Sequence, residues 1–449
     1  MIRFEFPKGF LFGTGTSSYQ TEGSIYVDGK GENVWDHATR VYADYFKNNA
    51  KTEPAASLYT RYEEDIAAMK EQGLTTFRFS ISWARILPEG TGRINQKGIE
   101  HYNRVIDLLL ENGIEPFVDL YHWDLPQVLA EKGGFKNREI INDFVVYAKV
   151  CFENFGDRVK LWSTMNEPSV FCFSPYATGN WPPFEKVLGN GLLAAQVAMI
   201  CHYRTVKLYR QMKLGGKIGA VIAVVPVYPK NPASDKDVLA ATIQYERLCD
   251  WWLRPIFEGK YPETILKECP SYLEEMPKNF TDELMEEFAP VDMIGLNYYY
   301  PGCAEYREDL PLKSEWIENY YVQEGQRFQC YPAGIYDIML AVSQRYHFPE
   351  IYIAENGLGL LDTGNKEEIL EDDVRIEYLK EHLRMVARCI GAGANIKGYY
   401  YWSNTDSFEN SAGYTYRFGL SYVEWESGER IRKKSWSYYQ RIAQTGFVD

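Results

Sequence analysis

The chain has 449 residues, 45% of them hydrophobic, with 62 acidic against 48 basic side chains and a formal net charge of -14. That charge repels phosphate backbones and anionic bilayers, which argues against nucleic acid or membrane partners. No stretch holds the roughly 18 apolar residues that suggest a membrane span.

Residues Met1 to Lys8 put an acid and a proline where a secretion signal needs a continuous apolar run, so no removable leader is expected. The eight cysteines are scattered with no CxxC pair and read as reduced, buried thiols, which points to a cytoplasmic protein. From there apolar, β-branched runs alternate with stretches of helical spacing. A strand at 10–12 leads into a long connection, 23–56, and then the helical repeat Leu58, Tyr62, Ile66, Met69. A strand at 76–81 precedes the repeat Ile99, Tyr102, Ile106, Leu109, which stops at Glu111-Asn112-Gly113 as a helix end should. Strands at 116–121, 161–165 and 217–225 alternate with helices at 137–155, 191–213 and 236–253. Beyond them lie a strand at 293–299, a long connection at 300–330, a helix at 334–346, a strand at 351–354, a helix at 373–391 and a strand at 397–402.

Strand then helix, repeated, implies a parallel sheet. Eight such units can close on themselves, whereas an open doubly wound sheet leaves edges and usually has fewer repeats. The expected fold is therefore α/β, a single (β/α)8 TIM barrel with long βα loops, one domain over 1–449. Barrel active sites lie where strands end.

Two strand ends carry a glutamate. Leu161 to Asn166 meets Glu167-Pro168, and because proline restricts the residue before it, Glu167 is expected at extended angles. Ile351 to Ala354 meets Glu355-Asn356-Gly357, where Asn-Gly suggests turn chemistry. Either acid alone reads as a solvated loop residue. As a pair pointing into one barrel mouth, they supply what glycosidic cleavage needs: a proton for the leaving oxygen and negative charge beside an oxocarbenium-like centre.

At these residues the chain resembles glycoside hydrolase family 1, the β-glucosidase family, whose acid/base lies in Asn-Glu-Pro and whose nucleophile lies in Glu-Asn-Gly. Phe10 to Gly23 fits the family's amino-terminal signature, and the likeness spans essentially the whole chain. The resemblance implies a retaining β-glycosidase, with Glu167 as acid/base and Glu355 as nucleophile. It implies that Arg78, Asn297 and Tyr299 surround the nucleophile, that Gln20, His122, Asn166 and Glu409 bind glycone hydroxyls beside Trp123, and that Trp402 is the floor under the ring. Each also has a plain reading: Arg78 as a structural ion pair, His122 as an ordinary strand-end histidine, Trp402 as barrel packing.

Where the family usually has a second tryptophan after Phe408-Glu409, this chain has Asn410. The aglycone tryptophan ahead of Tyr331-Pro332 is replaced by Phe328. Within the family, 6-phosphoglycosidases are the alternative, but Tyr416 stands where their loop lysine aligns, and Glu409 would oppose a phosphate. A non-catalytic sugar-binding barrel would lack one carboxylate. The expected ligand is a small β-glycoside or short oligosaccharide, with no metal or organic cofactor and with homo-oligomers possible. The basic run Arg430 to Lys434 reads as solvated surface.

Overall fold

A computed structural model describes residues 3–317 and 322–449. Eight parallel strands close a barrel in chain order: β1 (Leu11–Gly15), β2 (Thr76–Ser80), β3 (Glu115–Asp119), β4 (Leu161–Asn166), β5 (Lys217–Ala223), β6 (Ile294–Asn297), β7 (Ile351–Asn356) and β8 (Ile396–Trp402). All eight expected strands are present, with ends shifted by up to a few residues. Helices follow each strand: α1 (Leu58–Gln72), α2 (Gln96–Glu111), α3 (Ile140–Phe155), α4 (Leu188–Met212), α5 (Asp235–Tyr245), α6 (Pro332–Arg345), α7 (Asp373–Gly391) and α8 (Lys434–Thr445). The expected helix at 236–253 is present and runs unbroken from Asp235 to Glu258: after α5 it widens through a π segment, Glu246–Asp250, and continues as α-helix over Trp251–Glu258.

The strands are buried on both faces, which is why they read as near-continuous apolar runs. Side chains pointing outward, such as Phe77, Phe79, Val118 and Ile353, join the core beneath the helices. Those pointing inward alternate in character with height. Phe117, Leu161, Val221, Tyr352 and Tyr400 plug one end of the barrel, with the Phe117 ring 5.5 Å from Tyr400 and 5.8 Å from Tyr352. Two residues further along β2 and β3, the inward positions are Arg78 and Asp119, both fully buried. The plug therefore leaves space only at the carboxyl ends of the strands.

Three readings of the sequence are corrected. The helix α8 closes the ring, with Trp436, Tyr439 and Ile442 buried and the Tyr439 hydroxyl donating to Gly13 O at 2.8 Å. The basic run that precedes it is not simply solvated: Lys433 is fully buried, 2.6 Å from Asp406, and Arg430 pairs with buried Asp65 at 2.8 Å. Each of these cations is met by a buried carboxylate. The connection at 300–330 is partly ordered into strands Gly302–Tyr306 and Ser314–Ile317, which join Val227–Pro229 in a small sheet; its residues 318–321 lie outside the described ones. Among the described residues, no helix is long and apolar enough to cross a membrane. All eight cysteines are free, with Cys303 and Cys330 only partly buried.

Candidate active site

Both glutamates sit where a strand loses register. Along β4, Ser163 pairs with Gly219 but Asn166 with Val221, three residues against two. Along β7, Ile353 pairs with Leu296 but Glu355 with Asn297, two against one. One extra residue turns the next side chain to the other face, so each irregularity re-aims the strand end. Glu355 thereby faces inward although Ala354 before it also joins the interior plug.

Glu167 does not adopt the extended angles expected before proline. It lies at φ 48°, ψ 64° and caps a helix, Pro168–Tyr176, whose first residue is the proline. Proline disfavours the right-handed helical region for its predecessor, and here the left-handed region is the one taken. Gly357 is not needed for a positive φ either. A Cβ there would lie 1.8 Å from Trp402 O, so the glycine lets the β7 loop pass against the end of β8.

A buried hydrogen-bonded layer fixes the carboxylates. Arg78 donates from Nη1 to Glu355 Oε1 and from Nη2 to Asn166 Oδ1, each at 2.7 Å, and pairs with Asp119 at 2.5 Å. The Tyr299 hydroxyl donates to Glu355 Oε2 at 2.7 Å; burial and the charge of Glu355 push its pKa up, so it remains a donor. Asn297 stands opposite Glu355 in the β6–β7 register, as expected beside the nucleophile, and its side chain donates from Nδ2 to Glu167 Oε1 at 2.9 Å and to Asn166 Oδ1 at 3.0 Å.

The two carboxyls thus have different environments. One carries a guanidinium and a phenol. The other is held by a single amide, and burial first and the negative charge of Glu355 second raise its pKa, with Asn297 and Arg78 opposing. Two carboxyls in such different surroundings can serve as proton donor and anion together.

Both line one cavity of about 330 Å³ at the strands' carboxyl ends. Gln20, His122, Trp123, Asn297, Tyr299, Phe328, Trp402, Glu409 and Asn410 line it too. Arg78 and Asn166 do not. Asn166, expected to meet a sugar hydroxyl, has Oδ1 engaged by Arg78 and Asn297 and its Nδ2 donating to His122 Nε2 at 3.0 Å. The His122 ring lies near-parallel to Trp402, 5.6 Å between centroids. Trp123 donates its indole N–H to Asn166 O at 2.9 Å. Gln20 donates to Phe408 O at 2.8 Å and reaches Glu409 Oε1 at 3.5 Å. Asn410 accepts from the Tyr19 hydroxyl at 2.5 Å. Burial raises Glu409 to about 7, against the lowering pull of Arg327 and Ser407.

Sequence reasoning passed over Trp181, Tyr300 and Arg327, which also line the cavity. The Asn180-Trp181-Pro182-Pro183 turn offered a signal for the first, a large aromatic beside two prolines. Arg327 stands next to Phe328 in a long loop, and nothing local distinguishes it.

Known proteins resemble this chain in sequence and in fold. The sequence profile described as "Glycosyl hydrolase family 1" matches residues 2–447. "Beta-glucosidase A" of Thermotoga maritima is 40% identical over 448 residues, covering 99% of each chain. "Beta-glucosidase A" of Acetivibrio thermocellus is 38% identical over 447 residues, 98% of this chain and 99% of that one. Among solved structures, a family 1 β-glucosidase from Thermotoga maritima superposes with a TM-score of 0.94 at 39% identity over 99% of both chains. The same organism's β-glucosidase in complex with glucoimidazole gives 0.92 at 39%, over 98% of this chain and 99% of that one. The chain belongs to glycosyl hydrolase family 1 and is a retaining β-glycosidase.

Proposed function

We propose that this enzyme removes terminal non-reducing β-D-glucosyl residues from small glycosides or short oligosaccharides, with Glu355 as nucleophile and Glu167 as acid/base. The supporting observation is that two buried carboxyls in contrasting environments face one sugar-sized cavity. Glu355, held by Arg78 and Tyr299, attacks the anomeric carbon while protonated Glu167 delivers its proton to the glycosidic oxygen. The C–O bond to the aglycone breaks and a glycosyl ester forms on Glu355. Water then gives a proton to Glu167 and attacks the same carbon, so configuration is retained.

Trp402 serves as the floor for the glycone, with Gln20, His122, Trp123 and Glu409 around its hydroxyls, and Phe328 receives the aglycone. The relatives named β-glucosidase favour glucose as the glycone. The whole chain acts as one catalytic domain, and eight free thiols favour the cytoplasm.

Turnover of a panel of nitrophenyl β-glycosides, compared by kcat/KM, tests the sugar. A 2-fluoro glucoside that traps the intermediate tests the nucleophile by peptide mapping. Label on any peptide lacking Glu355 rejects the assignment.

A further inference from the structure

Asp119 does not line the cavity, yet it is a fully buried acid on the inward side of β3. Its Oδ2 lies 2.5 Å from Arg78 Nη2 and 3.7 Å from His122 Nδ1. The same guanidinium donates from Nη1 to Glu355 Oε1 at 2.7 Å and to Ala354 O at 3.2 Å. His122 Nε2 accepts from Asn166, so the neutral ring carries its proton on Nδ1, the nitrogen that neighbours Asp119. One carboxylate thus stands against both the cation that holds Glu355 and a histidine of the cavity wall.

A guanidinium bound to a nucleophile has two opposite effects. It fixes the carboxylate in place, but its charge cancels the pull of that carboxylate on an oxocarbenium-like centre. Arg78 and Glu355 alone are neutral as a pair; one cation against two carboxylates, with Asp119 included, leaves one negative charge. The other ionisable groups around Glu355 do not replace it. Burial raises the pKa of Tyr299, just past β6, and of Tyr19, which keeps both as neutral phenols. Burial also pushes Glu167 after β4 and Glu409 beyond β8 up toward their uncharged forms. Around Asp119 itself stand Arg78, His122 and Tyr400, and burial raises the Tyr400 phenol as well.

We propose that Asp119 is a positioning residue that offsets the charge of Arg78, so that Glu355 keeps its full attraction for the positive anomeric carbon of the transition state. The inference rests on the reading of Glu355 as the nucleophile. Asp119 acts through Arg78 and from outside the cavity wall, so it meets no substrate atom. Removing its charge should weaken binding of a cationic sugar and of the transition state while sparing a neutral sugar.

The test compares wild type with Asp119→Asn, close in shape, and Asp119→Thr, a smaller side chain suited to a strand. Each preparation is assayed for kcat/KM on nitrophenyl β-glucoside. Each is also assayed for inhibition by isofagomine, an amino sugar whose protonated nitrogen replaces the anomeric carbon, and by its uncharged lactam. In both variants kcat/KM and isofagomine affinity should each fall about 10- to 100-fold, the effect of one unit charge nearby in a protein interior, while lactam affinity changes by less than about threefold. The cation-to-lactam ratio is read within one preparation, so partial misfolding cancels. Equal losses for cation and lactam would mean that Asp119 only braces the fold. A kcat/KM within about threefold of wild type would mean that Arg78 needs no counter-charge. Either result overturns the proposal. Trapping wild type with a 2-fluoro glucoside separates this inference from the wider reading: label away from Glu355 removes the basis of both, whereas label on Glu355 with an unmoved ratio sinks this one alone.

Discussion

Removing the proton donor offers the most searching test of the cavity's chemistry. Glu167 is buried and, among the described residues, has a single side-chain donor, Asn297, on Oε1. Burial, then the charge of Glu355, raises its pKa, so its proton is held to higher pH than a free carboxyl would hold it. A general acid works below its own pKa and fails above it. With Glu167 as the proposed acid, the expected outcome is that it sets the alkaline limb of kcat/KM in free enzyme. Glu167→Ala should remove that limb. It should also slow cellobiose cleavage, whose sugar leaving group needs the proton, by about 100- to 10,000-fold, or about 3 to 5 kcal/mol of barrier. Dinitrophenolate leaves without a proton, so formation of the glycosyl-enzyme from dinitrophenyl glucoside should change by less than about tenfold. The second step then becomes slow, because water has lost its base. Azide, which needs none, should restore turnover of that substrate. Stopped-flow release of dinitrophenol, against steady-state cellobiose hydrolysis across pH, reads all of this. Equal losses for both leaving groups, or an alkaline limb that persists in the variant, would refute the assignment.

Tyr299→Phe removes the 2.7 Å donor from Glu355 Oε2 and leaves the ring beside Phe328. A hydrogen bond to a charged group contributes about 1.5–3 kcal/mol, so kcat/KM for a nitrophenyl glucoside should fall about 10- to 150-fold; a loss under about threefold contradicts the geometry. Asp406→Ala leaves Lys433 and Arg417 as buried cations without the carboxylate that binds them at 2.6 and 2.8 Å. Denaturant unfolding should show a loss of about 3–5 kcal/mol, and a loss below about 1 kcal/mol would mean that the buried charges find other partners.

The eight strands and most of the helices were legible because their signals are local. Apolar runs bounded by turn residues report burial on both faces, and a return of apolar side chains every three or four residues reports a helix face. Asn166-Glu167-Pro168 and Glu355-Asn356-Gly357 mark strand ends for the same local reason. The helix α8 escaped notice because its charged approach, Arg430 to Lys434, looks solvated until Asp65 and Asp406 are brought against it.

The amino-acid sequence by itself determined the barrel, its order and the two strands that end in acids. Only the tertiary structure decided what each acid touches. Arg78 reaches Glu355 across 277 residues, Asn297 chooses Glu167 over Glu355, and Arg327 enters the cavity from a loop with no periodicity. Register slips on β4 and β7 aim the glutamates, and such slips arise when neighbouring strands are laid side by side. Periodicity encodes which way a residue faces along its own strand or helix, whereas a partner's identity exists only once the closed sheet has set distant residues side by side.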